Sequence, residues 1–200
     1  MKHIAALALL ILLSVAPAIA SQDQFTDPAY APEQGPTSTP VGHYVFCKSH
    51  AGECGTLTGP ATEILTEKLW AELQETNNAV NASVAPVTDE DLYRVAEYWT
   101  YPDGAGDCED YVLEKRRELI AKGWPASTLL MTVVRKQDGE GHAVLLVRTD
   151  RGDLALDNLD GEIHLWNETP YTYLKRQSQT DASRWVGLED GRIIQVASMH

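Results

Sequence analysis

"GHAVLLVRTDRGDLALDNL", residues 141–159, decides how the chain is built. "HAVLLVRT" and "DLALDNL" are short runs rich in branched apolar residues, and "DRG" between them is a turn signal. Only antiparallel strands can be joined by so short a connection. The same pattern extends both ways. "TLLMTVVR" (128–135) lies upstream across "KQDGEG", "EIHLW" (162–166) follows, and "RWVGLEDGRII" (184–194) closes the series. The second half of the chain therefore reads as an antiparallel meander.

The first half has a different period. In "TEILTEKLWAELQETNNAVNASV" (62–84), Ile64, Leu65, Leu69, Leu73 and Val80 keep helical spacing. A helix from the Thr62 N-cap to about Asn78 is expected. "PVTDEDLYRVAEYW" (86–99) restarts helix after Pro86, capped by Thr88 or Asp89, with Leu92, Val95, Ala96 and Trp99 as its inner face. After the breaker-rich "TYPDGAG", "GDCEDYVLEKRRELIAKGW" (106–124) gives a third helix. Asp107 is its N-cap and Asp110 falls at N3, close to a capping box. Val112, Leu119 and Ile120 form its core stripe, and Gly123 ends it. Helices first and a meander after give an α+β fold, with helices packed on an antiparallel sheet.

The ends are of another kind. "MKHIAALALLILLSVAPAIA" (1–20) has a basic start at Lys2, an apolar run from Ile4 to Val15 and small residues at Ala18 and Ala20. That is the layout of a signal peptide cleaved after Ala20. The run is short for a bilayer span, and no later segment reaches transmembrane length. An exported, periplasmic protein with no membrane span in the mature chain is expected. Residues 21–42 hold four prolines among small polar residues and read as an extended or flexible arm. The compact domain is expected over 43–200.

Formal charge is −13, with 16 basic and 29 acidic residues. Loss of Lys2 with the leader makes it more negative still. Such a surface argues against nucleic acid as a partner and suits metal cations. Three cysteines are present: Cys47, Cys54 and Cys108. In an exported protein the local pair Cys47 and Cys54 is expected to form a disulfide, leaving Cys108 free. A zinc site of both cysteines with His43 and His50 is the alternative.

Cys108 stands at the start of a helix, where free N–H groups and the macrodipole favour a thiolate. Its acidic neighbours oppose that, so another group must activate it. His142 opens one strand and Asp157 lies near the end of the next, so a hairpin brings them to one rim if the register is right. Cys108 then serves as nucleophile, His142 as general base and acid, and Asp157 as the group that orients the imidazole. The Cys108 backbone N–H is a candidate oxyanion donor. Trp99 is read as core, His164 as a solvent-face residue, and Asn81-Ala82-Ser83 as a formal glycosylation sequon without consequence.

"GDCEDY" followed by "GHAVLLVRTDRGDLALDNL" resembles the bacterial transglutaminase-like cysteine proteinases (peptidase family C93), including LapG-type periplasmic adhesin proteases. The likeness extends through "FCKSHAGEC", "VNASVAPVTDEDLYRVAEYW" and "YTYLKRQSQTDASRWVGL". It implies a papain/transglutaminase-like fold and a cysteine peptidase whose Cys-His-Asp triad falls on Cys108, His142 and Asp157. It implies calcium, held by Asp107 and Glu109, and no organic cofactor. It also implies a protein substrate, a surface adhesin in LapG-type members, and an inner-membrane receptor as regulatory partner. Two other readings use the same residues: transglutaminase or amidase chemistry, and a non-catalytic calcium-responsive binding module.

Overall fold

The computed structural model describes residues 28–190. The expected leader at 1–20, the first part of the arm and the end of the last expected strand lie outside the described residues. In chain order the elements are β1 (Glu33–Thr37), α1 (Val41–Ser49), α2 (Glu67–Ser83), β2 (Ala85–Pro86), α3 (Asp89–Tyr93), β3 (Ala105–Gly106) and α4 (Cys108–Ala121). The meander follows as β4 (Leu129–Arg135), β5 (Gly141–Thr149), β6 (Gly152–Leu156), β7 (His164–Leu165), β8 (Thr172–Gln177) and β9 (Trp185–Leu188). Seven strands form one antiparallel sheet in the order β1-β9-β8-β4-β5-β6-β7. The α+β expectation holds, and β2 and β3 make a separate short parallel pair.

The central strand β5 is buried on both faces, as its near-continuous apolar run requires. Ala143, Leu145 and Val147 point into the cluster shared with Val112, Leu113 and Leu119 of α4 and Leu73 of α2. Val144 and Leu146 point the other way, among Leu130, Val134, Trp166 and Tyr173. Helix α4 thus lies across β5, with α2 behind it. Of its expected stripe Val112 and Leu119 are buried, but Ile120 is partly exposed, and Lys115 and Arg116 are buried instead.

Three boundaries differ from the sequence expectation, each for a tertiary reason. Helix α2 starts at Glu67, with the Thr66 hydroxyl accepting from Leu69 N at 3.2 Å. Residues 63–65 are held by the sheet: Glu63 exchanges backbone bonds with Arg148 and Asp150, and Leu65 N donates to the Asp150 carboxylate. Helix α3 is five residues long and ends at Arg94, which is left-handed (φ 61°). The Asp89 carboxylate accepts the Tyr98 N–H and closes a loop, so Leu92 and Val95 face solvent and only Trp99 of the expected inner face is buried. Residues 33–37 of the proline-rich arm form edge strand β1, paired with β9. Strand β8 has no sequence expectation behind it, because Lys175 and Arg176 break its apolar pattern. Arg176 is nonetheless fully buried and pairs with Glu33 across the sheet.

Cys47 and Cys54 form a disulfide, so the two sulfurs are not available for the alternative zinc site, although His43 lies beside them. The β5–β6 hairpin turns through Asp150 and Arg151 into Gly152, whose φ of +117° disfavours any side chain. A Cβ there would also stand 2.5 Å from the Ala29 carbonyl oxygen. Gly152→Ala is expected to lower unfolding free energy by about 1–3 kcal/mol, read as a shift in urea midpoint at constant m-value; an unchanged midpoint refutes the strain.

Candidate active site

Strand β5 ends its rim on His142, and Asp157 is the first residue beyond β6. The register pairs Leu145 with Leu156, which carries Asp157 back beside the start of β5. The outcome is a hydrogen bond of 2.8 Å between His142 Nε2 and Asp157 Oδ1, with both side chains buried. In this tautomer Nε2–H donates, leaving Nδ1 as the free base.

Asp157 has further partners. Its Oδ1 accepts from Leu159 N at 3.0 Å, its Oδ2 from the Tyr171 hydroxyl at 2.5 Å, and its main-chain carbonyl from Asn81 Nδ2 at 2.8 Å. Burial alone would raise its pKa, but the bonds from His142 and Tyr171 outweigh it and the carboxyl sits below its ordinary value. Asn81 and Tyr171 are contacts that sequence reasoning missed. Asn81 looks like a sequon residue on an exposed helix, and Tyr171 lies outside any recognised strand.

Cys108 is the first residue of α4 and is mostly enclosed. The backbone N–H of Ala143, the residue after His142, lies near enough to the sulfur to oppose the rise in its pKa, so helix start and strand rim meet. The thiol hydrogen points to Glu109 Oε2 at 3.1 Å, and no Cys108–His142 hydrogen bond forms among the described residues. Burial, then the Glu109 carboxylate, push the thiol well above its ordinary pKa. As arranged, His142 and Asp157 are coupled, and Cys108 is beside them with its proton held elsewhere.

The reason lies in the carboxylates. Asp107 occupies the N-cap position, yet its side chain makes no capping bond. It turns away from the helix and its Oδ2 accepts from Asp89 N at 3.4 Å. Oxygens of Asp89, Asp107 and Glu109 lie within 4.8 Å of one another. Oδ1 of Asp89 and Oδ1 of Asp107 are buried without a hydrogen-bond donor. Burial and the nearby Asp107 raise Glu109 to about 9, and burial raises Asp110 to about 7. Asp110 does not complete a capping box either, since its Oδ1 accepts Thr100 N at 2.9 Å. Hard oxygen donors with unfilled acceptor capacity fit a divalent cation such as calcium. Asp89 is a third member that the sequence presents only as a helix cap.

Trp99 is core, as expected. His164 is half-exposed and pairs with Asp160 at 3.3 Å.

The sequence profile of the bacterial transglutaminase-like cysteine proteinases matches residues 33–193. No curated protein sequence matches the chain. Among solved structures, Legionella pneumophila LapG in its calcium-bound form aligns with a TM-score of 0.51 and 23% identity, over 66% of this chain and 75% of that one. A second L. pneumophila LapG structure aligns at 0.47 and 26% identity, over 54% and 63%. The EGTA-treated form aligns at 0.47 and 27%, over 54% and 62%. The chain thus spans less than two thirds of two of these LapG chains, and the calcium-bound alignment shows a shared fold.

A buried carboxyl raised from 4.5 to about 9 is protonated in the folded protein where the unfolded chain is ionised. The folded state then binds more protons, so its contribution to stability falls as pH rises between those values. With a chelator present, Glu109→Gln is expected to stabilise the protein relative to the parent, with a gain that grows from pH 5 to pH 9 in urea titrations. A gain independent of pH contradicts the assignment.

Proposed function

This chain belongs to the bacterial transglutaminase-like cysteine proteinases, and from that premise we propose that it is an exported peptidase that cuts a protein substrate through Cys108, His142 and Asp157. The observation that carries the reading is the buried His142–Asp157 hydrogen bond at 2.8 Å, with the Cys108 sulfur near the backbone N–H of the next residue of the same strand. A structural histidine needs no nucleophile at the N-terminus of the helix packed against it.

The chemistry follows from that geometry. Nδ1 of His142 takes the Cys108 proton, and the thiolate attacks the scissile carbonyl carbon. The carbonyl oxygen becomes an oxyanion, which the Cys108 backbone N–H is disposed to stabilise. Collapse breaks the C–N bond, and the imidazolium returns its proton to the leaving amine. Water then attacks the thioester with His142 again as base, releasing the acid and restoring the thiol. Asp157 holds the tautomer and the positive charge throughout.

Asp89, Asp107 and Glu109 would hold calcium, with Asp110 behind them. The support is the two buried oxygens without donors and the raised Glu109 carboxyl. Bound there, calcium supplies positive charge that cancels the effect of the carboxylates on the neighbouring thiol. LapG of L. pneumophila, recorded with calcium and after EGTA treatment, shares the fold. The substrate we infer is an exposed segment of a surface adhesin, met in the periplasm after loss of residues 1–20, with an inner-membrane receptor as regulator.

The test is cleavage of the purified N-terminal region of a large surface adhesin, read by mass spectrometry with calcium and with EGTA. The parent cleaves only with calcium, while Cys108→Ser and His142→Ala each lose at least about 10³-fold. Cleavage that survives in Cys108→Ser overturns the proposal. Incorporation of a fluorescent amine into a glutamine donor, without cleavage, replaces hydrolysis by transamidation. In calorimetry Asp89→Asn is expected to weaken calcium binding about tenfold or more, since affinity follows the carboxylate count; unchanged affinity removes Asp89 from the site.

A further inference from the structure

We propose that Tyr171 is a positioning residue of the active site, fixing Asp157 so that His142 is presented in one orientation; this rests on the peptidase reading above. Asp157 has two oxygens and both are buried. Oδ1 is shared by His142 Nε2 and Leu159 N, whereas Oδ2 has the Tyr171 hydroxyl as its donor, at 2.5 Å. Removing that hydroxyl leaves a buried carboxylate oxygen with an unmet acceptor, and the carboxylate gains a reason to rotate.

The placement of the ring adds a second constraint. The Tyr171 ring lies 5.4 Å from the His142 ring, tilted by 59°, so one side chain both bonds the carboxylate and walls the imidazole. Tyr171 is itself largely buried, just before β8, and its phenol is held protonated by burial and by the Asp157 bond. It therefore donates and does not compete for the proton that His142 moves. Its effect travels through Asp157.

A control stands two residues away. Tyr173 is also buried, and its hydroxyl partners Thr169 Oγ1 at 3.1 Å. Tyr171→Phe and Tyr173→Phe each delete one buried phenolic hydroxyl from the same region. Two readouts separate positioning from folding: the split between kcat and KM on the adhesin region, and the downfield proton resonance of His142 Nε2–H in the calcium-loaded protein.

Tyr171→Phe is expected to lower kcat about tenfold, the scale of one charge-assisted hydrogen bond, with KM unchanged and the His142 resonance shifted or broadened. Tyr173→Phe keeps both at parent values. Should the phenylalanine variant not fold, 3-fluorotyrosine incorporated at Tyr171 strengthens the donor and moves the resonance without deleting the bond. A parent-like kcat and resonance in Tyr171→Phe overturn the inference, as does an equal loss in both phenylalanine variants. Absence of cleavage by the parent defeats the peptidase reading instead, and the resonance comparison still decides the role of Tyr171.

Discussion

The seat of helix α4 across strand β5 is the contact on which the molecule depends. Val112, Leu113 and Leu119 close over Ala143, Leu145 and Val147, and burial of each such side chain contributes about 1.5–3 kcal/mol. That seam fixes more than stability. It sets the first residue of α4 against the first residues of β5, so the thiol of Cys108 and the imidazole of His142 share a rim because of the apolar packing that begins beside them. The hairpin to β6 then returns Asp157 to the same place. The chemistry sits at the end of a hydrophobic joint.

Packing carboxylates at that joint sets a conflict that the fold retains. Asp107 gives up its capping bond and Asp110 its box, and both turn toward other backbone groups. Glu109 accepts the hydrogen bond of the Cys108 thiol. A sequence optimised only for a stable α4 would let the side chains at the helix start satisfy the first N–H groups. Local rules broken at one point, with the rest of the chain obeying them, mark a place held for another purpose.

Much of this was legible in the sequence. The branched apolar runs of 141–159 and the turn between them gave the hairpin, and the punctuation around it gave the meander. A helix start and a hairpin placed Cys108, His142 and Asp157 near one rim, on condition of a register that the sequence did not fix. What stayed hidden depended on partners distant in the chain. Thr62 looks as good a cap as Thr66 until Asp150 captures the backbone of Leu65. The run 89–99 keeps helical spacing, but Asp89 binds the N–H of Tyr98 and ends the helix early. Arg176 reads as a surface residue because the partner that does most to make its burial tolerable, Glu33, lies far off in the proline-rich arm. Tyr171 and Asn81 carry no local pattern that distinguishes them from loop and surface residues; their meaning comes from Asp157.

The disulfide has a consequence in time as well as in space. Cys47 and Cys54 are only seven residues apart, and Cys108 follows much later in the chain. A chain that emerges N-terminus first presents the local pair together, before the third thiol exists to compete. Because the loop between them is short, the two thiols meet far more often than either meets the distant Cys108, which favours the local pairing. Once both sulfurs are bridged, Cys108 can pair wrongly only by attacking the disulfide as a thiolate. The bridge therefore acts as a kinetic chaperone for Cys108: it removes the two sulfurs that could trap the nucleophile in a wrong pairing.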